Sequence, residues 1–180
     1  MIAYHVVTDR PMTVGQKILF DENHHSGVYQ RVQDKLEAVR QIYADPDAYC
    51  AENLEHHTAV ALRELAMEEI RLKKYPHYPS RMSCLYVSET LEEAQKWAAF
   101  FAKSGRPTYA IVKLRIDGHC FAGDASRCFR GTPDKQLNLH LAEQYWNPQA
   151  APQQSNPVTE WLANGQITVL KIIQEINANL

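Results

Sequence analysis

SCLYVSETLEEAQKWAA, residues 83–99, passes from strand to helix within a few positions, and the rest of the chain can be read outward from it. Cys84-Leu85-Tyr86-Val87 is a short apolar run with the aromatic and β-branched content of a buried strand. Thr90 stands three residues before Glu93, the signature of a capping box, and Leu91, Ala94, Trp97, Ala98 and Phe101 then recur at helical spacing. A strand that hands over directly to a capped helix builds a cleft, because the free N–H groups of the first helical turn point back toward the strand end.

Upstream, Ile2 to Thr8 (IAYHVVT) alternates and predicts a first strand with one polar residue, His5, in its middle. Residues 12–30 read as a loop that wraps the fold and covers a ligand. Val32, Leu36, Val39 and Ile42 predict a helix from about Gln30 to Tyr43, broken at Asp45-Pro46-Asp47. A second helix is expected from about Ala48 to Lys74, with Glu64, Glu68 and Arg71 on its polar side. This pair makes a helical insertion over about residues 30–75.

Downstream, Thr108 to Ile116 (TYAIVKLRI) predicts a strand, and Asp117-Gly118 a hairpin that pairs His119–Ala122 back onto it. Gln136 to Trp146 has the pattern of a short amphipathic helix. NPQAAPQQSNP (147–157) is linker-like, and Asn164-Gly165 is a type I′ turn signal between Val158–Leu162 and the terminal β-run Ile167–Ile173. Five or six short strands in two halves, with helices that do not alternate regularly between them, give an α+β fold rather than a doubly wound sheet.

Composition narrows the function classes. At 180 residues the chain suits a single domain, and its 45% hydrophobic and 22% charged residues are those of a folded, soluble protein. A net charge of −2 gives no general attraction to nucleic acid or to an anionic membrane. No run is long enough to span a bilayer and no signal peptide opens the sequence, so a cytoplasmic location is expected, or export as an effector without a recognisable signal. The four cysteines are spaced as buried free thiols. No metal is expected: His24-His25 and His56-His57 lack the i, i+3 or i, i+4 spacing of helical ligands, and no HExxH occurs.

Five residues could carry chemistry. His5, inside a strand, is either a satisfied core imidazole or a donor to a ligand. Tyr86 and Ser88 share one face of their strand, as core ring and helix cap or as site residues. Trp97 is either core or the wall of the same cleft, and Glu160 either an exposed edge residue or a carboxylate with a task.

Taken in order, these residues resemble the signatures of the ADP-ribosyltransferase superfamily, in its His-Tyr-Glu branch with diphtheria toxin, poly-ADP-ribose polymerases and tRNA 2′-phosphotransferases. YHVVT supplies His5, LYVSETLEEAQKW supplies Tyr86 and Trp97, and TEWLANGQITVLKI supplies Glu160. YHVV at the start and the late Ala142–Trp146 AxxYW helix look closer still to a group of small uncharacterised bacterial proteins related to that superfamily. The resemblance implies a split β-sheet with an NAD cleft between its halves, and NAD as substrate for ADP-ribosyl transfer or hydrolysis. Tyr86 and Trp97 would sandwich the nicotinamide, His5 would donate to the adenosine-side ribose, and Ser88 would hold the nicotinamide ribose or carboxamide. Glu160 would stabilise the oxocarbenium-like transition state, with Glu143 as its competitor for the acidic role. The acceptor stays open among protein, nucleic acid, small molecule and water. The absence of a second acid two residues before Glu160 makes arginine a poorer acceptor, and Arg10, Arg81, Arg127 and Arg130 are candidates for pyrophosphate. Two alternatives accompany this reading: a non-catalytic module of the same fold that binds a nucleotide or a protein, and RNA 2′-phosphotransferase chemistry.

Overall fold

The computed structural model describes residues 1–147 and 158–176, so most of the proline-rich linker expected at 147–157 lies outside the described residues. The strands are β1 (Ile2–Val7), β2 (Lys17–Phe20), β3 (Leu85–Val87), β4 (Ala110–Asp117), β5 (Cys120–Asp124), β6 (Thr159–Ala163) and β7 (Gly165–Glu175). The helices are α1 (Gly27–Gln33), α2 (Leu36–Ala44), α3 (His56–Lys74), α4 (Leu91–Lys103) and α5 (Lys135–Trp146). The strands form two antiparallel sheets, in the orders β1-β4-β7-β2 and β3-β6-β5, and the fold class is α+β.

Alternation along the strands sets the layers. Ala3 and Val7 of β1, Val112 and Leu114 of β4 and Ile167 and Val169 of β7 meet Val87 and Ala163 of the smaller sheet in one apolar layer between the sheets. The outer face of the larger sheet receives α4, through Val6, Ile111, Ala94 and Ala98. The outer face of the smaller sheet receives α3 and α5, with Tyr145 and Trp146 fully buried against Phe121 and Leu162. Trp146 Nε1 is satisfied there by the Met67 carbonyl at 2.8 Å.

The two expected hairpins are instead crossings between sheets. β4 and β7 belong to the larger sheet, β5 and β6 to the smaller, so β5 pairs with β6 and not back onto β4. Asn164 does not adopt the positive φ that a type I′ turn requires, and only Gly165, at φ 79°, does. The two crossings lock together: the His119 amide donates to Asn164 Oδ1 at 2.9 Å, and the Asn164 amide to the His119 carbonyl at 3.0 Å. At the opposite corner, Tyr4 of β1 and Ser88 beyond β3 form a two-bond antiparallel bridge at 2.9 and 2.7 Å, so the sheets meet there as one bent surface.

The helical insertion differs in detail. Its first helix divides into α1 and α2, and α3 begins at His56 rather than Ala48, because Glu55 caps it by accepting from the amides of His57 and Thr58. Between α2 and α3 run two 3₁₀ turns, Pro46–Ala48 and Ala51–Asn53. Glu64 and Arg71 are buried, not on the solvent face. The expected loop at 12–30 contains β2, an edge strand paired with β7. All four cysteines are free, but of the four only Cys84 is buried: Cys120 and Cys128 are partly exposed and Cys50 is exposed.

Candidate active site

The capping box forms as expected: Thr90 Oγ1 accepts from the Glu93 amide at 3.2 Å, and the Glu93 carboxylate accepts from the Thr90 amide at 3.3 Å. It starts α4 directly after the corner where Ser88 pairs with Tyr4. Residues directly opposite each other in a ladder share a face. Tyr4 and Ser88 therefore face outward together, and Tyr86 and Glu160 follow on the same outer surface by alternation and register.

Glu160, 8% exposed, is the hub. Its Oε1 accepts from Arg81 Nη1 at 2.6 Å, from the Tyr145 hydroxyl at 2.7 Å and from the Cys128 thiol at 3.7 Å. Its Oε2 makes no hydrogen bond among the described residues. Arg81, sequestered just before β3, donates through Nε to Glu64 Oε2 at 3.0 Å, and Glu64 Oε1 is held in turn by Arg63 at 2.7 Å. The guanidinium lies 4.9 Å from the Tyr145 ring centroid and 5.4 Å from that of Tyr86.

The electrostatics follow from these contacts. Burial opposes the charge on Arg81, but Glu64 first, with Glu160 among the other contributors, holds its pKa well above the ordinary value. Burial likewise works against the Glu64 carboxylate, and Arg81 and Arg63 overcome it and hold its pKa below the usual range. Burial pushes the phenols of Tyr86 and Tyr145 well up and the Cys128 thiol to about 11, so all three stay protonated. Four polar atoms around this hub have no protein partner among the described residues: Arg81 Nη2, Tyr86 Oη, Ser88 Oγ and Glu160 Oε2. None is sealed from solvent. Polar atoms so placed are matched by water or by a ligand.

His5 and Trp97 take other places. His5 shares the inner face of β1 with Ala3 and Val7, and its Nδ1 donates to the Tyr86 carbonyl at 2.7 Å. Burial lowers its pKa to about 4, so the ring is neutral with its one N–H committed. The expected donation to a ribose is therefore not available from it, and its action on the site passes through the Tyr86 backbone. Trp97 packs with Phe101 and Leu91 on α4, apart from the cluster that holds Tyr86, and its Nε1 donates to the Thr159 carbonyl at 3.3 Å, next to Glu160. Glu143, the rival acid, is tied to Lys74 on the outside of α5 at 2.5 Å.

Of the candidate arginines only Arg81 enters this site. Arg130 donates to the Leu54 carbonyl and Arg127 pairs with Asp124, while Arg10 is exposed beyond β1. The partnership of Glu64 and Tyr145 with Arg81 and Glu160 was not visible in single motifs. Two spacing signals were present: Glu64 lies three residues from both Ala61 and Met67 on the apolar side of its helix, and Tyr145 belongs to the buried AxxYW pattern. Among the described residues no cluster of histidine, cysteine or carboxylate side chains is arranged to hold a metal, and no helix is long and apolar enough to cross a membrane.

The model of a protein family described as a protein of unknown function, DUF2441, matches residues 3–175. No curated protein matches the sequence.

Proposed function

The chain belongs to the DUF2441 family, and we propose that its members with this site bind NAD and cleave the bond between nicotinamide and ribose, on a split sheet of the ADP-ribosyltransferase type. The observation that carries the proposal is the divided Glu160 carboxylate, with Oε1 fixed by Arg81 and Tyr145 and Oε2 unshared. Bond cleavage develops positive charge on the ribose, and a carboxylate oxygen already oriented by its neighbours stabilises that charge without reorganising.

The donor set suits the nicotinamide-ribose end of NAD. Tyr86 offers a ring face, Ser88 a hydroxyl for the carboxamide or ribose, and Trp97 an indole on the α4 flank, held at Thr159. His5 serves as a positioning residue that fixes the Tyr86 strand. ADP-ribose passes to water or to an acceptor that enters the same cleft.

A second reading, a binding module without turnover, is favoured by one contact. The 2.6 Å ion pair to Arg81 is also what a purely structural buried carboxylate would make. Incubating the purified chain with NAD separates the two. Nicotinamide release, followed by chromatography, supports the enzyme; an NAD-dependent rise in melting temperature without release supports the module. The absence of both responses overturns both readings.

A further inference from the structure

We propose that Ser83 and His25 form a second site, in which a serine nucleophile with an imidazole base acts on small acyl esters. It lies on the α1 side of the segment that precedes β3 and does not depend on the NAD reading. His25 Nδ1 is 2.6 Å from Ser83 Oγ. The two residues are 58 apart in sequence, and their meeting is imposed by the backbone: the amide and hydroxyl of Ser26 both bond the Met82 carbonyl, at 2.9 and 3.1 Å. That pair of hydrogen bonds sets His25 beside Ser83, each one residue from the contact. A turn from the Ser83 amide to the Ser80 carbonyl at 3.0 Å fixes the serine backbone, and the residue is 8% exposed.

The imidazole plane is fixed as well. It stacks on the Tyr29 ring with centroids 3.8 Å apart and 17° between planes. The stacking holds the ring with Nδ1 toward Ser83 Oγ. Both residues open into a pocket of about 420 Å³, the size of a small-molecule site. Leu72, Tyr78 and Met82 line it with apolar surface for an acyl chain. Asn164 also lines it, and because its Oδ1 is used by the His119 amide, its NH₂ is the group left to face an oxyanion.

With Nε2 protonated, His25 accepts the Ser83 proton at Nδ1 as Oγ adds to the ester carbonyl. Collapse breaks the bond to the leaving alcohol, which takes that proton. Water then adds to the acyl-serine, giving its proton to the same nitrogen, and the carboxylic acid leaves as Oγ is reprotonated. The sum is ester plus water to acid plus alcohol.

The test is covalent labelling with a fluorophosphonate probe, together with hydrolysis of p-nitrophenyl acetate. One adduct per chain is expected, mapped by mass spectrometry to Ser83 and absent in Ser83→Ala. His25→Gln, at an exposed position that leaves the fold intact, should slow labelling about a hundredfold. Label on another residue, no label, or wild-type labelling in His25→Gln each overturns the proposal.

Discussion

His5 Nδ1 donates to the Tyr86 carbonyl at 2.7 Å, and this single bond joins the edge of the larger sheet to the strand that carries the candidate site ring. The two residues are 81 apart in sequence, and the adjacent Tyr4–Ser88 bridge repeats the connection with backbone alone. The bond requires the neutral imidazole to keep its proton on Nδ1, which makes the junction sensitive to acid.

Stability should fall as pH drops through the histidine range. His5 titrates near 6.5 when unfolded and at about 4 when folded, so between those values the unfolded chain binds more protons and unfolding is favoured. The full difference is worth at most about 3 kcal/mol. Urea unfolding of wild type and His5→Asn from pH 7 to pH 4 should show a shallower acid slope in the variant, which keeps an N–H donor but cannot titrate. Equal slopes would place the acid sensitivity elsewhere.

Glu160→Gln keeps the shape of the side chain and removes its charge. Nicotinamide release should drop by about 10²–10³-fold, the size of effect associated with losing one preorganised electrostatic contact. The melting temperature should stay within a few degrees, because Arg81 remains paired with Glu64. Full turnover in the variant would remove Glu160 from the chemistry, and Glu143→Gln is the comparison to run beside it.

Arg81→Met tests the buried network as a unit. It leaves Glu160 without its cation and Glu64 with Arg63 alone, and uncompensated buried charge costs about 3–5 kcal/mol. The melting temperature should fall by about 10 °C. The triple variant Arg81→Met, Glu64→Gln, Glu160→Gln should recover much of that loss by differential scanning calorimetry. A triple variant no more stable than Arg81→Met would mean that packing of the guanidinium, not charge balance, sets the cost.

Gly118→Ala tests the sheet crossing. A Cβ there would drive into the Asn164 carbonyl, which is backbone and part of the other crossing, so neither side can yield cheaply. Destabilisation of about 3 kcal/mol, at the upper end for overpacking, is expected from chemical denaturation. A cost below about 1 kcal/mol would show that the crossings can separate.

Local signals were legible where a local force decides the outcome. The capping box at Thr90, the AxxYW helix and the strand expected at Thr108–Ile116, which runs Ala110–Asp117, depend on short-range hydrogen bonds and periodicity, and they form close to where the sequence places them. Asp117-Gly118 and Asn164-Gly165 carry the residues of tight hairpins, yet their conformation is set by each other across 46 or more positions, a relation that no window along the chain contains. The same holds for the site. Tyr86, Ser88 and Glu160 could be nominated from their strands, but the partners that orient Glu160 come from α5 and from the segment before β3. His24-His25 was weighed only as a metal motif, because nothing near it in sequence points to Ser83.

The order of the sheets has a consequence for how the protein is made. β7 sits between β4 and β2 in one sheet and β6 between β3 and β5 in the other, so residues 159–175 supply an interior strand to both. A folding chain can form its helices and the β1–β4 pair early, but it can complete neither sheet until residues 159–175 have joined. Until then β3, β5 and one edge of β4 expose unpaired backbone and apolar side chains, the surfaces on which nascent chains stick to one another. Closure of both sheets is therefore a late step in folding, and the yield of refolding should fall as protein concentration rises.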